Sequence, residues 1–192
     1  MQSATTDFQG PVAGSDRPLL VAGAIGPAVI IASTVIAMLF NPKGASLHAS
    51  ELALGGAGWV MSLAFIAVGG CIGAFALGLY RVLEPGSRVG TGLLGVVALA
   101  LVVSGIFATD APGAPQTTHG QIHNMAFLVT MLGLILSVPF NALKLRKHGW
   151  RHGFGIYSIA TVAALPLLVA VFVTVGSEPG DPLYAISGLL LM

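Results

Sequence analysis

Long apolar runs, broken at near-regular intervals by short polar or Gly/Pro segments, dominate this chain. Five of them are each long enough to cross a hydrocarbon core, which takes roughly 20 helical residues: Leu19–Phe40, Trp59–Leu79, Val89–Thr109, Ile122–Leu143 and Phe154–Val175. A further run, Leu183–Met192, follows Pro182. At ~1.5 Å of rise per residue it covers about half a crossing. The pattern predicts an all-α fold, a polytopic transmembrane helical bundle with five full spans and a sixth C-terminal span cut short. Residues 1–18 are polar, carry Asp7 and Asp16 and lack a basic n-region, so they are expected to be a disordered cytoplasmic tail rather than a signal peptide. Residues 19–192 then form a single transmembrane domain.

Small residues recur inside the second run: Gly69 and Gly73 are spaced i, i+4, and Gly70 with Ala74 repeats the spacing one residue along. That spacing predicts close helix–helix approach. Pro27, Pro139 and Pro166 each remove a backbone donor from a predicted span and are expected to shape it. Asn141, near the inner end of its span, is expected to hydrogen-bond to a neighbouring helix.

Composition excludes a soluble reading. Only 8% of the 192 residues are charged, against about 25% in ordinary soluble domains, and mean hydropathy is +0.91. A net charge of +1 offers no stripe for nucleic acid. The lone cysteine, Cys71, lies in an apolar run and is read as a packing residue.

Charge sets the expected orientation. With alternating crossings, Arg17, Arg81, Arg88, Lys144, Arg146, Lys147 and Arg151 fall on one side and Lys43 alone on the other. This asymmetry predicts a multi-pass membrane protein with a cytoplasmic N-terminus. The lipid bilayer is then its first partner. Arg146, Lys147, Trp150 and Arg151, in K-L-R-K-H-G-W-R-H, are candidates for contact with anionic lipid headgroups.

The opposite side gathers His48, Glu51, Asp110, His119 and His123 from two loops. His119 and His123 are spaced i, i+4 and would share a helix face, as would His48 and Glu51 at i, i+3. Imidazole and carboxylate together suit a divalent metal such as zinc, iron or manganese. Asp110, His119 and His123 are the candidate ligands and Glu51 the candidate general base; His48 is a further pocket residue. A metal-bound water there would serve hydrolysis at the membrane surface. Haem is the weaker fit, because both histidines sit on one helix. The competing structural reading makes Asp110 a partner for backbone N–H groups at the start of the fourth span, with Thr117 or Thr118 as its cap. The run A-P-G-A-P after Asp110 is turn-forming and can fold it back over that helix.

Two stretches carry a family resemblance. H-A-S-E-L-A-L-G-G-A-G-W, from His48 to Trp59, resembles the first-loop pattern of the bacterial membrane proteins catalogued as domain of unknown function 998. G-I-F-A-T-D-A-P-G-A-P-Q-T-T-H-G-Q-I-H-N, from Gly105, resembles the same family's segment in which an aromatic and an Asp end the third helix and His-Gly-x-x-His opens the fourth. The resemblance implies a bundle of about six helices and points to Ser50, Glu51, Asp110, His119 and His123 as motif positions. It implies no reaction. Two functions are therefore expected from the sequence. One is a membrane protein whose outward cluster binds a divalent metal or a polar headgroup, in its concrete form a metal-dependent hydrolase or lipid-modifying enzyme. The other is a non-enzymatic accessory or scaffold subunit that packs against membrane-protein partners.

Overall fold

The structure, a computed structural model, describes residues 16–41, 48–83 and 88–147, the last three by backbone alone. Within them the chain forms α1 (Arg17–Leu39), α2 (Ala49–Leu52), α3 (Gly58–Val82), α4 (Arg88–Ile106) and α5 (Thr118–Lys147), and no strand. Four of these helices, all but α2, are long and apolar enough to cross a membrane. They match the first four predicted runs in order, with ends shifted by up to a turn. The predicted fifth and sixth spans, Phe154–Val175 and Leu183–Met192, lie outside the described residues, as do residues 1–15 of the predicted tail.

The long helices pack in chain order, α1 on α3, α3 on α4 and α4 on α5, each antiparallel to the last. Large side chains cover the outside: Leu99 is 69% exposed, Leu39 79% and Leu143 60%. In water such surfaces would drive aggregation; in a bilayer they meet lipid tails as apolar as themselves. This is a multi-pass membrane protein.

Glycine sets the distance between helices. A Cβ on Gly69 of α3 would come within 2.7 Å of the Ala98 carbonyl oxygen of α4. One on Gly105 of α4 would come within 2.6 Å of the Ser62 carbonyl oxygen of α3. The two contacts are reciprocal, backbone against backbone, at two heights of the same interface. Gly133 of α5 receives Val97 of α4 in the same way, 2.5 Å from a Cβ built there. Gly70, one residue from Gly69, faces open space, so of the two overlapping small pairs only Gly69 is pressed on a neighbour's backbone.

Polar side chains supplement these contacts. Asn141 of α5 is buried against Gly90 of α4. Arg81 donates to Asp16 at 3.4 Å and ties the start of α1 to the end of α3; exposed as it is, such a pair contributes at most ~1 kcal/mol. Pro27 and Pro139 sit inside α1 and α5, which continue through them. Ser137, two residues before Pro139, donates its hydroxyl to the Leu134 carbonyl at 2.9 Å.

A methyl group at Gly69 must displace backbone, whereas one at Gly70 meets nothing. Gly69→Ala should therefore lower the thermal midpoint in detergent by the equivalent of ~1–3 kcal/mol. Gly70→Ala should leave the midpoint unchanged or raise it by the equivalent of ~0.5–1 kcal/mol, the helix-propensity gain.

Candidate functional site

The histidine-bearing end of the bundle is built from two loops, and each loop is closed by a carboxylate. Between α4 and α5, Pro112 and Gly113 occupy the centre of a turn closed by the Ala114 N–H on the Ala111 carbonyl at 3.0 Å. Gly113 has φ +77°, a conformation that favours glycine. The turn returns the chain so that Asp110 meets the start of α5. There the Thr117 N–H donates to Asp110 Oδ2 at 2.8 Å and the Thr117 hydroxyl donates to Asp110 Oδ1 at 2.7 Å. The same hydroxyl accepts the Gly120 N–H at 3.1 Å, and the Gln121 N–H bonds the Thr117 carbonyl at 2.9 Å. Thr117 is thus the N-cap of α5, and Asp110 fixes the cap. The carboxylate lies so close over the Gly120 Cα that any Cβ there would overlap it.

This arrangement holds Asp110 ionised. The Thr117 hydroxyl, then the Thr117 N–H, pull its pKa below the ordinary 3.8; desolvation opposes them, and the still smaller pull of nearby His119 adds to them.

The two histidines of the motif part company. His123 is buried, and its Nδ1 lies 3.1 Å from the Ser104 carbonyl, in the last turn of α4, and 2.9 Å from the carbonyl of Phe107, the residue just after it. Carbonyls only accept, so Nδ1 is the protonated nitrogen and His123 closes the C-terminus of α4. Its ring also meets Phe65 of α3 edge to face, 6.2 Å between centroids. His119, one turn earlier, is exposed and stands edge-on to Phe107 at 5.3 Å.

The other loop contains α2, a single turn that the apolar pattern did not predict. The His48 N–H donates to Glu51 Oε2 at 3.0 Å, and His48 Nδ1 lies 3.8 Å from Glu51 Oε1. This is the reciprocal half of a capping box, with Glu at N3 reaching back to the N-cap. Glu51 is 8% exposed and Leu52 1%, so the turn is anchored in the apolar cluster with Ile30, Ala37 and Met61. Ser50 is half-buried on the same turn.

The geometry therefore brings Asp110 to Thr117, Gly120 and His119, and His48 to Glu51. Among the described residues no three His, Cys, Asp or Glu side chains stand close enough to hold a metal ion. The side chains of Arg146, Lys147, Trp150 and Arg151 lie outside the described residues.

The profile of one protein family, described as Protein of unknown function (DUF998), matches residues 24–191. The chain belongs to the DUF998 family. Comparison with curated proteins and with solved structures gives no match. In this DUF998 chain the H-G-x-x-H stretch has a physical account. Gly120 makes room for the carboxylate that fixes the cap, and His123 closes the preceding helix. Thr117 and Gly120 were within reach of sequence reasoning as cap and N3 positions, and Phe107 as the aromatic of the motif; Phe65 and Ser104 were not, because only tertiary packing brings them to the histidines.

Gly120→Ala forces Asp110 off its seat, so it should lower thermal stability. Asp110→Ala should do the same, and the double variant should be hardly worse than either single one, the signature of one shared interaction. The pH dependence follows from the direction of the shift. A carboxyl depressed in the folded state stabilises it above the unfolded value, so the contribution is complete above about pH 4. It is lost as pH falls through the folded value. Wild type should lose its advantage over Asp110→Ala only in that acid range, read by thermal midpoints across pH.

Proposed function

We propose that this DUF998 protein is a non-enzymatic, multi-pass component of the bacterial inner membrane that packs against partner helices, and that its polar end locks its own loops. The observation that carries this reading is that Asp110, Glu51 and His123 each hold the protein's own backbone. In the proposed topology the N-terminus is cytoplasmic, Phe154–Val175 makes a fifth crossing and a sixth begins at Leu183. Arg146, Lys147, Trp150 and Arg151 face anionic headgroups at the inner surface. The surface offered to a partner is the outward face of α4. Gly92 and Gly95 there have nothing within 4 Å of an added Cβ, and Val96 and Leu99 are exposed beside them. Open glycines on a lipid-facing helix let another backbone approach closely.

A second reading rests on Asp110 kept ionised near the exposed imidazole of His119. These two, with His123, would hold a divalent metal or a polar headgroup, and Glu51 would act as general base in a metal-dependent hydrolase or lipid-modifying enzyme. That role requires Asp110, Glu51 and His123 to leave their present backbone partners.

The readings separate in one preparation. Gly92→Leu with Gly95→Leu should abolish co-purification of membrane partners while leaving yield and thermal midpoint unchanged. His119→Ala, which spares the buried His123, should leave co-purification intact. About one bound metal per wild-type chain, lost in the histidine variant, would instead establish the second reading.

A further inference from the structure

α4 packs between α3 and α5, and what it leaves uncovered is a single line of residues. Past Arg88 at its start, the exposed positions are Val89, Gly92, Val96, Leu99 and Ile106, with Val103 partly exposed in the same line. The steps between them alternate three and four residues without a break, the strict a/d seam of a coiled coil. The other flanking helices differ. α1 exposes adjacent pairs such as Ile31 with Ala32, and α5 exposes Phe127 with Leu128, the broad face of a helix turned to lipid.

The residue types in the seam suit a copy of itself. The a positions are Val89, Val96 and Val103, all β-branched, and Leu99 holds the central d position. β-branched residues at a with Leu at d favour two parallel strands. No seam position carries a charge or a polar side chain, so the seam can face its own copy without like-charge repulsion. From Val89 to Ile106 it rises ~26 Å, most of a ~30 Å hydrocarbon core. Copies of one chain insert in the same direction, so a closed pair meets about a twofold axis along the membrane normal. That axis sets α4 parallel to α4 and each seam residue opposite itself. The seam and its partly covered neighbours Leu93 and Gly95 leave roughly 500 Å² of apolar surface open per copy, and two copies together reach the ~1,000 Å² that a specific interface needs. Gly92 and Gly95, with nothing within 4 Å of an added Cβ, let the backbones come nearest towards the arginine-bearing end.

We propose that the partner is a second copy of this chain, paired through α4 as a parallel, left-handed two-helix seam from Val89 to Ile106. Such pairing supplies the partner of the α4 surface assigned above and rests on that reading.

Disulfide trapping in native membranes tests the pairing. Cys71→Ala removes the only cysteine, and one new cysteine is then placed at a time. Because the seam faces itself, Val96→Cys and Leu99→Cys should each join two chains at several-fold the yield of Ile31→Cys on α1 and Leu128→Cys on α5, exposed positions on the other helices. Adding Gly92→Leu with Gly95→Leu should abolish the Leu99→Cys cross-link, and with it the co-purification of two differently tagged copies. Yields at Val96 and Leu99 no higher than at Ile31 and Leu128 overturn the dimer. If other membrane proteins then still co-purify and are lost from the glycine variant, α4 keeps its role as a partner surface and only the second copy is wrong. If nothing co-purifies, the partner reading falls together with the dimer.

Discussion

Helices dissolved in lipid gain nothing by hiding leucine from leucine, because the solvent is as apolar as they are. What holds such helices together is close contact and the few polar groups that prefer one another to hydrocarbon. In this chain the constraint is met by glycine. Gly69 and Gly105 bring α3 and α4 backbone to backbone, Gly133 lets α5 settle on Val97, and Gly78 lets the start of α1 meet the end of α3. The bundle's order, antiparallel and sequential, follows from these seats, and the large residues left outside face the bilayer.

That packing also determines what the polar end does. Once α4 and α5 are pressed together, the last carbonyls of α4 and the first N–H groups of α5 lie at the rim of the membrane and need partners. His123 supplies the first need and Thr117 the second, with Asp110 fixing Thr117. Glu51 closes the other loop on the His48 N–H. Residues that look like a ligand set by type thus act as terminators of helices whose ends would otherwise be unsatisfied. His119, exposed beside Phe107, is the member of the cluster left facing outward.

The spans were legible because each apolar run is long and its breaks are marked by charge, Pro or Gly. Helix ends were less legible from hydropathy: the apolar run opens at Ile122, whereas α5 starts at Thr118 behind Thr117, one of the two caps the sequence offered. α2 was missed since four residues carry no periodicity and its N-cap is a histidine. At the candidate site, sequence spacing correctly set His119 and His123 on one helix and Asp110 over the start of α5, and it left metal ligation and capping as rivals. Spacing alone could not decide between them, because the partners that engage His123, the Ser104 and Phe107 carbonyls, carry no sequence signal at all.

The central claim is that the Asp110, Thr117, Gly120 and His123 contacts are a clamp that needs no ion. Amide hydrogen exchange over residues 107–123, on detergent-purified protein with and without a strong chelator, tests it most directly. The account predicts slow exchange at the Thr117 and Gly120 amides that the chelator leaves untouched and added zinc, iron or manganese does not deepen. Protection that collapses on chelation and returns with metal would contradict it.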